Sequence, residues 1–122
     1  METIVDAAVI HVATQLGNHS EAVFQAGIVI ELQGLGATVQ REVPVAVPFV
    51  PSWTSTPVNV GFVRLDCVVR VNNAVAVLEV KKTSSGSYAA QLQKYLEIIH
   101  PEWGLALVTP DKHVQWLRRP VP

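Results

Sequence analysis

The sequence predicts an α/β or α+β sandwich, in which a sheet lies between helices. Apolar residues recur at steps of three and four in the first third of the chain and again near residue 90, as on one face of a helix. Short runs rich in β-branched residues, separated by turn-forming residues, occupy most of the rest. The predicted order is α, α, β, β, β, α, β, β, and helices before and after a sheet are typical of layered sandwiches.

Two helices open the chain. Residues 3–16 place apolar side chains on a single stripe, and a glycine follows as a helix stop. Either Asn18 or Ser20 can cap the second helix, whose apolar stripe begins at Phe24 and which ends in a Gly-Leu-Gly sequence. Glu21 falls on this apolar stripe, one turn before Phe24. A carboxylate there is costly unless it is paired or coordinates a cation.

The strands follow the second helix. Pro44 and Pro48, with Pro51 directly after, mark the stretch from Thr38 to Val50 as an edge strand or an irregular one, because proline cannot donate to a neighbouring strand. A loop rich in Pro, Ser and Thr comes next. The later predicted elements are a strand, tight turn and strand over residues 64–82, a Ser/Gly-rich loop, a helix from about Tyr88 to Ile99, and short strands over Trp103–Val108 and His113–Trp116.

Length and composition predict one soluble, intracellular domain. A chain of 122 residues is long enough to bury one core, so we expect a single domain over residues 1–122. The lone Cys67 cannot form an internal disulfide, which fits a reducing compartment. No apolar run approaches the roughly 20 residues that span a bilayer, and the first residues lack the basic start of a secretory signal. The net charge of −1 requires any nucleic-acid partner to meet a local basic patch.

The segment RLDCVVRVNNAVAVLEVKK has two acidic residues in its most β-prone part. If its Asn-Asn pair forms a tight turn, Asp66 faces Glu79 across the two strands and Arg64 faces Lys81. All four side chains then project from one side of the sheet, because side chains alternate along a strand. The other side is predicted to be wholly apolar, with Val63, Leu65, Cys67, Val69 and Val71 against Ala74, Ala76, Leu78 and Val80.

Directly opposed carboxylates repel each other, so this pair needs a compensating interaction. A shared proton, neutralisation by Arg64 and Lys81, or a divalent cation would each supply one. A solvated ladder of surface ion pairs is the plainest alternative. The apolar position of Glu21 favours a site, as do Gln91 and Tyr95, which are i and i+4 neighbours on the helix after the Lys81 strand.

The order and spacing of five elements resemble the PD-(D/E)XK nuclease superfamily, in particular its small GxxExxY branch. The resemblance covers roughly residues 5 to 110 and implies a restriction-endonuclease-like core, a central mixed sheet flanked by helices. Phe24 stands where the branch has its naming tyrosine, and Leu65 replaces the proline of the superfamily's name. The matching elements are LGNHSEAVFQAGIVIELQGLG with Glu21, VPVAV, RLD with Asp66, LEVKK with Glu79 and Lys81, and AQLQKYL with Gln91 and Tyr95.

The resemblance implies a nuclease that depends on Mg²⁺ or Mn²⁺ and hydrolyses phosphodiester bonds with a metal-activated water. It assigns the metal to Asp66, Glu79 and the carbonyl oxygen of Val80, with Glu21 reaching it directly or through a water. Lys81 would orient or deprotonate the attacking water, or pair with the phosphate. The residues implied to position the phosphate or the water are Gln91 and Tyr95.

The expected partner is nucleic acid, DNA more than RNA, bound by a homodimer or a larger complex. The alternative function is a nuclease fold that no longer cuts and binds a nucleic acid or a protein partner. Weak overall basicity favours this alternative, whereas the complete acid, acid and lysine set favours the nuclease. An apolar structural subunit with an accidental motif leaves the position of Glu21 unexplained. The basic residues expected to contact the nucleic-acid backbone are Lys82, Lys94, Arg64 and Arg41.

Overall fold

The computed structural model describes residues 1–83 and 86–122, with side-chain surroundings for 1–83 and 90–122. The predicted order ααβββαββ is confirmed. The predicted Ser/Gly-rich loop includes Ser84 and Ser85, which lie outside the described residues. The elements are α1 (Glu2–Leu16), α2 (Glu21–Gly34), β1 (Thr38–Phe49), β2 (Val58–Val71), β3 (Ala74–Val80), α3 (Gly86–Ile99), β4 (Gly104–Thr109) and β5 (His113–Arg118).

The five strands form one mixed sheet in chain order, β1-β2-β3-β4-β5. Strands β3 and β4 are parallel, and α3 provides the crossover between them, whereas the other neighbouring strands are antiparallel. β1 lies at an edge of the sheet, as its prolines predict. The structure is therefore an α+β sandwich with a restriction-endonuclease-like order of elements. None of the described helices is long and apolar enough to cross a membrane.

Helices cover both faces of the sheet. The apolar stripes of α1 and α2 pack on one face, where Phe24 and Ile28 join a core with Cys67, Leu78 and Val108. On the opposite face, α3 packs on the sheet through two leucines, and this second core contains Leu65, Val68, Val77, Leu92, Leu96 and Leu105. The central strands are therefore buried on both sides, which explains the high apolar content of the sequence.

Local sequence signals define the helix start and the tight turn that position the acidic residues. The Ser20 hydroxyl accepts a hydrogen bond from the Val23 N–H (3.3 Å), so Ser20 is the N-cap of α2. Asn72 has a φ of 53°, the positive value that its tight turn requires. The register of β2 and β3 is the predicted one, from Val71 opposite Ala74 to Cys67 opposite Leu78.

Two predictions about this hairpin are wrong. The described ladder between β2 and β3 ends at Cys67 and Leu78, so Arg64 does not face Lys81. On the other edge of β2, Arg64 pairs with Pro44 of β1, and its guanidinium lies 3.8 Å from the Glu42 carboxylate. The predicted apolar side is also wrong at Leu65, which belongs to the α3 core, and at Val63, which lines a cavity with Leu92 and Tyr95 of α3.

A break in strand alternation explains why Leu65 lies on the α3 side. Glu42, in the middle of β1, has a φ of 51°, which is rare for a residue with a Cβ atom. The ladder pairs Arg41 with Cys67 and Val43 with Leu65, so Glu42 lies opposite Asp66 at the skipped position. Cys67 therefore packs under α1 and α2, whereas Val43 and Leu65 turn towards α3.

We expect Glu42→Gly to stabilise the protein by about 0.5 to 1 kcal/mol, because glycine adopts a positive φ without the steric cost of a Cβ atom. Glu42→Gln is the matched control. It removes an ion pair between two exposed side chains, which contributes little, and keeps the backbone strain. Urea unfolding of both variants measures the difference. A glycine variant less stable than the glutamine variant would contradict this account of β1.

Candidate active site

Asp66 and Glu79 lie next to each other where β2 and β3 separate. The Asp66 N–H donates to Glu79 Oε2 (3.0 Å), and the Val80 N–H donates to Asp66 Oδ2 (2.9 Å). Each carboxylate thus accepts from a backbone amide on the other strand, just beyond the last pair of the ladder. Beyond this point β3 stays paired with β4, and the Lys81 N–H donates to the Val108 carbonyl (2.9 Å). The predicted meeting of the two acids is confirmed.

Burial makes the charge of Glu79 costly. Its side chain is among the largest that are fully buried, and the residue is only 2% exposed. Burial first, and then the charge of Asp66, raise the pKa of Glu79 from 4.5 to about 8. The nearby Lys81 ammonium acts in the opposite direction, with a smaller effect. A proton or a cation is needed to neutralise this pair near neutral pH.

Gln25 holds the backbone of Asp66 in place, a contact that the sequence predictions did not include. Its side-chain amide donates to the Asp66 carbonyl oxygen (3.2 Å) and contacts Cys67 Sγ (3.6 Å). Gln25 lies one turn after Glu21 on α2, so helical spacing from that acid could have indicated it. Cys67 is buried, and burial raises the pKa of its thiol to about 11, so it is a packing residue rather than a nucleophile.

Glu21 joins the start of α2 to the end of β3. Its carboxylate accepts from the Lys82 N–H (3.1 Å), while Lys82 Nζ donates to the His19 carbonyl oxygen (2.7 Å). These bonds bring Glu21 to the chain segment that follows Glu79. Among the described residues, no three acidic, histidine or cysteine side chains are grouped closely enough to hold a metal. Direct metal binding by Glu21 therefore stays a prediction.

Gln91 and Tyr95 share a cavity on the α3 side of the sheet. The cavity has a volume of about 200 Å³, and its other described walls are Val47, Val63 and Leu92. The Tyr95 hydroxyl is buried and has no hydrogen-bond partner among the described residues. The two residues are thus neighbours, as predicted, but hydrogen bonds from them to a phosphate or a water stay a prediction.

The four basic residues expected to contact nucleic acid lie on three elements and one segment. Arg41 and Arg64 are exposed on β1 and β2, and Lys94 is exposed on α3. Lys82 is exposed after β3, with its ammonium group bonded to the His19 carbonyl. Their contacts with nucleic acid stay a prediction.

The mixed sheet is covered on both faces, and two acids and a lysine lie where its central strands separate. This combination is typical of a nuclease-type α+β domain. A family model of the PD-(D/E)XK nuclease superfamily matches residues 1–118, nearly the whole chain, and the protein belongs to this superfamily. No curated protein matches the sequence significantly. Membership in the GxxExxY branch stays a prediction.

Proposed function

We propose that the protein is a metal-dependent nuclease of the GxxExxY type that hydrolyses phosphodiester bonds, with DNA as the substrate. The observation that carries this proposal is the reciprocal bonding of Asp66 and Glu79, two acids held together although one is almost fully buried. Two like charges held close together destabilise a fold, above all when one of them is buried, so their presence in the chain favours a functional role.

The donor set fits Mg²⁺ or Mn²⁺. Hard cations prefer oxygen ligands, and Mg²⁺ is usually held by one or two carboxylates while it keeps several waters. Asp66 and Glu79 would supply the carboxylates and Val80 a carbonyl oxygen, and Glu21 would reach the metal directly or through a water. When bound, such a cation polarises the phosphodiester and lowers the pKa of the attacking water.

The protein's own groups have separable roles in this proposal. Lys81 follows Glu79 by two residues, and its ammonium group orients the attacking water or pairs with the phosphate. Gln25 fixes the Asp66 carbonyl, so it keeps the neighbouring carboxylate aligned. Glu21 fixes the Lys82 amide and therefore the course of the chain just after Lys81.

The wider surface supports binding of the phosphate backbone. We assign backbone contacts to the exposed basic residues Arg41, Arg64, Lys82 and Lys94. Four such residues on a chain of net charge −1 provide only a small positively charged surface for binding phosphates. A homodimer or a larger complex would enlarge this positively charged surface, and we propose that the protein acts in such an assembly.

Incubation of the purified protein with supercoiled, linear and single-stranded DNA and with RNA tests the proposal. We expect cleavage of DNA with Mg²⁺ or Mn²⁺ and none with EDTA. A protein that binds these substrates but cuts none of them with either metal would contradict the proposal. That result would favour the alternative function, a nuclease fold that only binds.

A further inference from the structure

The far end of the hairpin formed by β1 and β2 is exposed and uncharged. The ladder between β2 and β3 stops at Cys67, so among the described strands the first part of β2 pairs only with β1. We call residues 46–62 the distal hairpin, and none of these residues, all within the described range 1–83, is buried. The sequence has no charged residue from Val43 to Val63. A two-stranded hairpin is only marginally stable by itself, so a surface that covers this one would stabilise it.

The distal hairpin exposes enough apolar surface for a dimer interface. Its large exposed side chains are Trp53 (82%), Phe62 (69%), Val60 (61%), Phe49 and Val50 (54% each) and Val58 (46%). An aromatic side chain has about 150 to 250 Å² of surface, so the three aromatic residues alone present roughly 300 to 500 Å². A standard interface buries about 800 Å² on each partner, and in homodimers about 65% of this area, or roughly 500 Å², is apolar. The apolar area of the distal hairpin therefore matches what a stable homodimer needs.

Trp53 lies in an ordered turn at the tip of the distal hairpin. The Thr54 N–H donates to the Pro51 carbonyl oxygen (3.3 Å), and the Thr56 N–H donates to Thr54 Oγ1 (3.2 Å). These bonds hold the backbone next to Trp53, whereas its side chain lies in solvent. An anchor on an ordered backbone loses less conformational entropy on binding than one on a flexible loop.

An apolar groove lies on the same hairpin. It has a volume of about 300 Å³, and its walls include Val45, Pro48 and Val58, with Ile99 of α3. Trp53 of the same chain does not fill it, since that side chain is almost fully exposed. Tryptophan side chains that enter such grooves contribute much of the binding energy of protein interfaces. The distal hairpin thus carries both an anchor and a groove.

We propose that the distal hairpin is the interface of a homodimer, in which Trp53 of each copy fills the groove of the other. A two-fold axis brings the same patch of both copies together, so a patch with an anchor and a groove is complementary to itself. Pro44 and Pro48 cannot donate hydrogen bonds, which disfavours pairing of two β1 edges and favours contact through side chains. The uncharged surface offers no cation to the phosphates of a nucleic acid. The inference specifies the assembly put forward with the proposed function, and its test does not require cleavage.

Sedimentation velocity at several micromolar concentrations tests the interface. The chain has a mass of 13.3 kDa, and we expect the wild type to sediment with twice this mass. Trp53→Ser and Val58→Lys change the anchor and the groove, and each is expected to weaken dimerisation at least about tenfold. Ile30→Ser is the matched control, because it removes a similarly exposed apolar side chain from α2 and should leave the dimer intact.

A monomeric wild type would overturn the inference, as would a dimer that neither hairpin variant weakens. Far-UV circular dichroism shows whether the variants stay folded, and loss of both the dimer and the folded spectrum in Trp53→Ser would assign Trp53 to the fold instead. A monomeric wild type that sediments with phosphatidylcholine vesicles would identify a bilayer as the partner. A monomer that cuts DNA would overturn this inference and leave the cleavage proposal standing, whereas a dimer that cuts no substrate would do the reverse.

Discussion

Lys81→Ala and Asp66→Asn are each expected to lower the rate of metal-dependent DNA cleavage at least about 100-fold, the usual range for removal of a proton-transfer or charge-stabilising group. The lysine variant loses the ammonium group that would orient the water or neutralise the phosphate. The asparagine variant keeps the shape of Asp66 and loses its charge. Both variants should stay folded, because neither substitution empties the apolar core.

Cleavage rates under single-turnover conditions with saturating protein measure these losses without a contribution from product release. Lys112→Ala is the matched control, since Lys112 is exposed in the turn between β4 and β5. This control should cut at the wild-type rate. A Lys81→Ala variant that cuts as fast as Lys112→Ala would show that the reaction does not use Lys81.

The stability of the metal-free protein is expected to fall as the pH rises from about 4.5 to 8. The pKa of Glu79 is raised from 4.5 to about 8 by burial and by the charge of Asp66. Between these values the folded chain holds a proton that the unfolded chain has lost, so this stabilisation is complete below pH 4.5 and disappears as the pH approaches 8. The loss corresponds to a melting temperature lower by about 10 °C or more.

Thermal unfolding in EDTA at several pH values measures this loss, and Glu79→Gln isolates its source. Glutamine can accept from the Asp66 N–H and donate to the Asp66 carboxylate, as a protonated Glu79 does, but it cannot ionise. The variant should therefore lose most of the pH dependence and be more stable than the wild type at pH 8. Parallel stability curves for the two proteins would show that Glu79 is not the group that titrates.

The sequence was sufficient for the order of elements and for the pairing of Asp66 with Glu79, because both depend on local signals. Helical periodicity, the Ser20 cap and the positive φ of the Asn72 turn act within a few residues of chain. Once the turn is placed, strand geometry fixes the partners across the hairpin. The prediction therefore held along β2 and β3 as far as the two strands remain paired.

Features that depend on distant parts of the chain could not be predicted. The positive φ of Glu42 reverses the side-chain alternation of two strands, and no glycine marks that position in the sequence. The contact from Gln25 to Asp66 joins residues 41 positions apart, so only packing of α2 on the sheet reveals it. The buried hydroxyl of Tyr95 likewise depends on how α3 meets the β1 and β2 strands.

A calorimetric titration of the metal-free protein with Mn²⁺ and with Mg²⁺ near pH 8 tests the central claim most directly. We predict saturable binding at the pair of acids, weakened at least about tenfold in Asp66→Asn and in Glu79→Gln, because each variant removes one charged oxygen ligand. Binding heats that do not saturate in the wild type, or equal metal affinities in all three proteins, would contradict a metal site formed by Asp66 and Glu79.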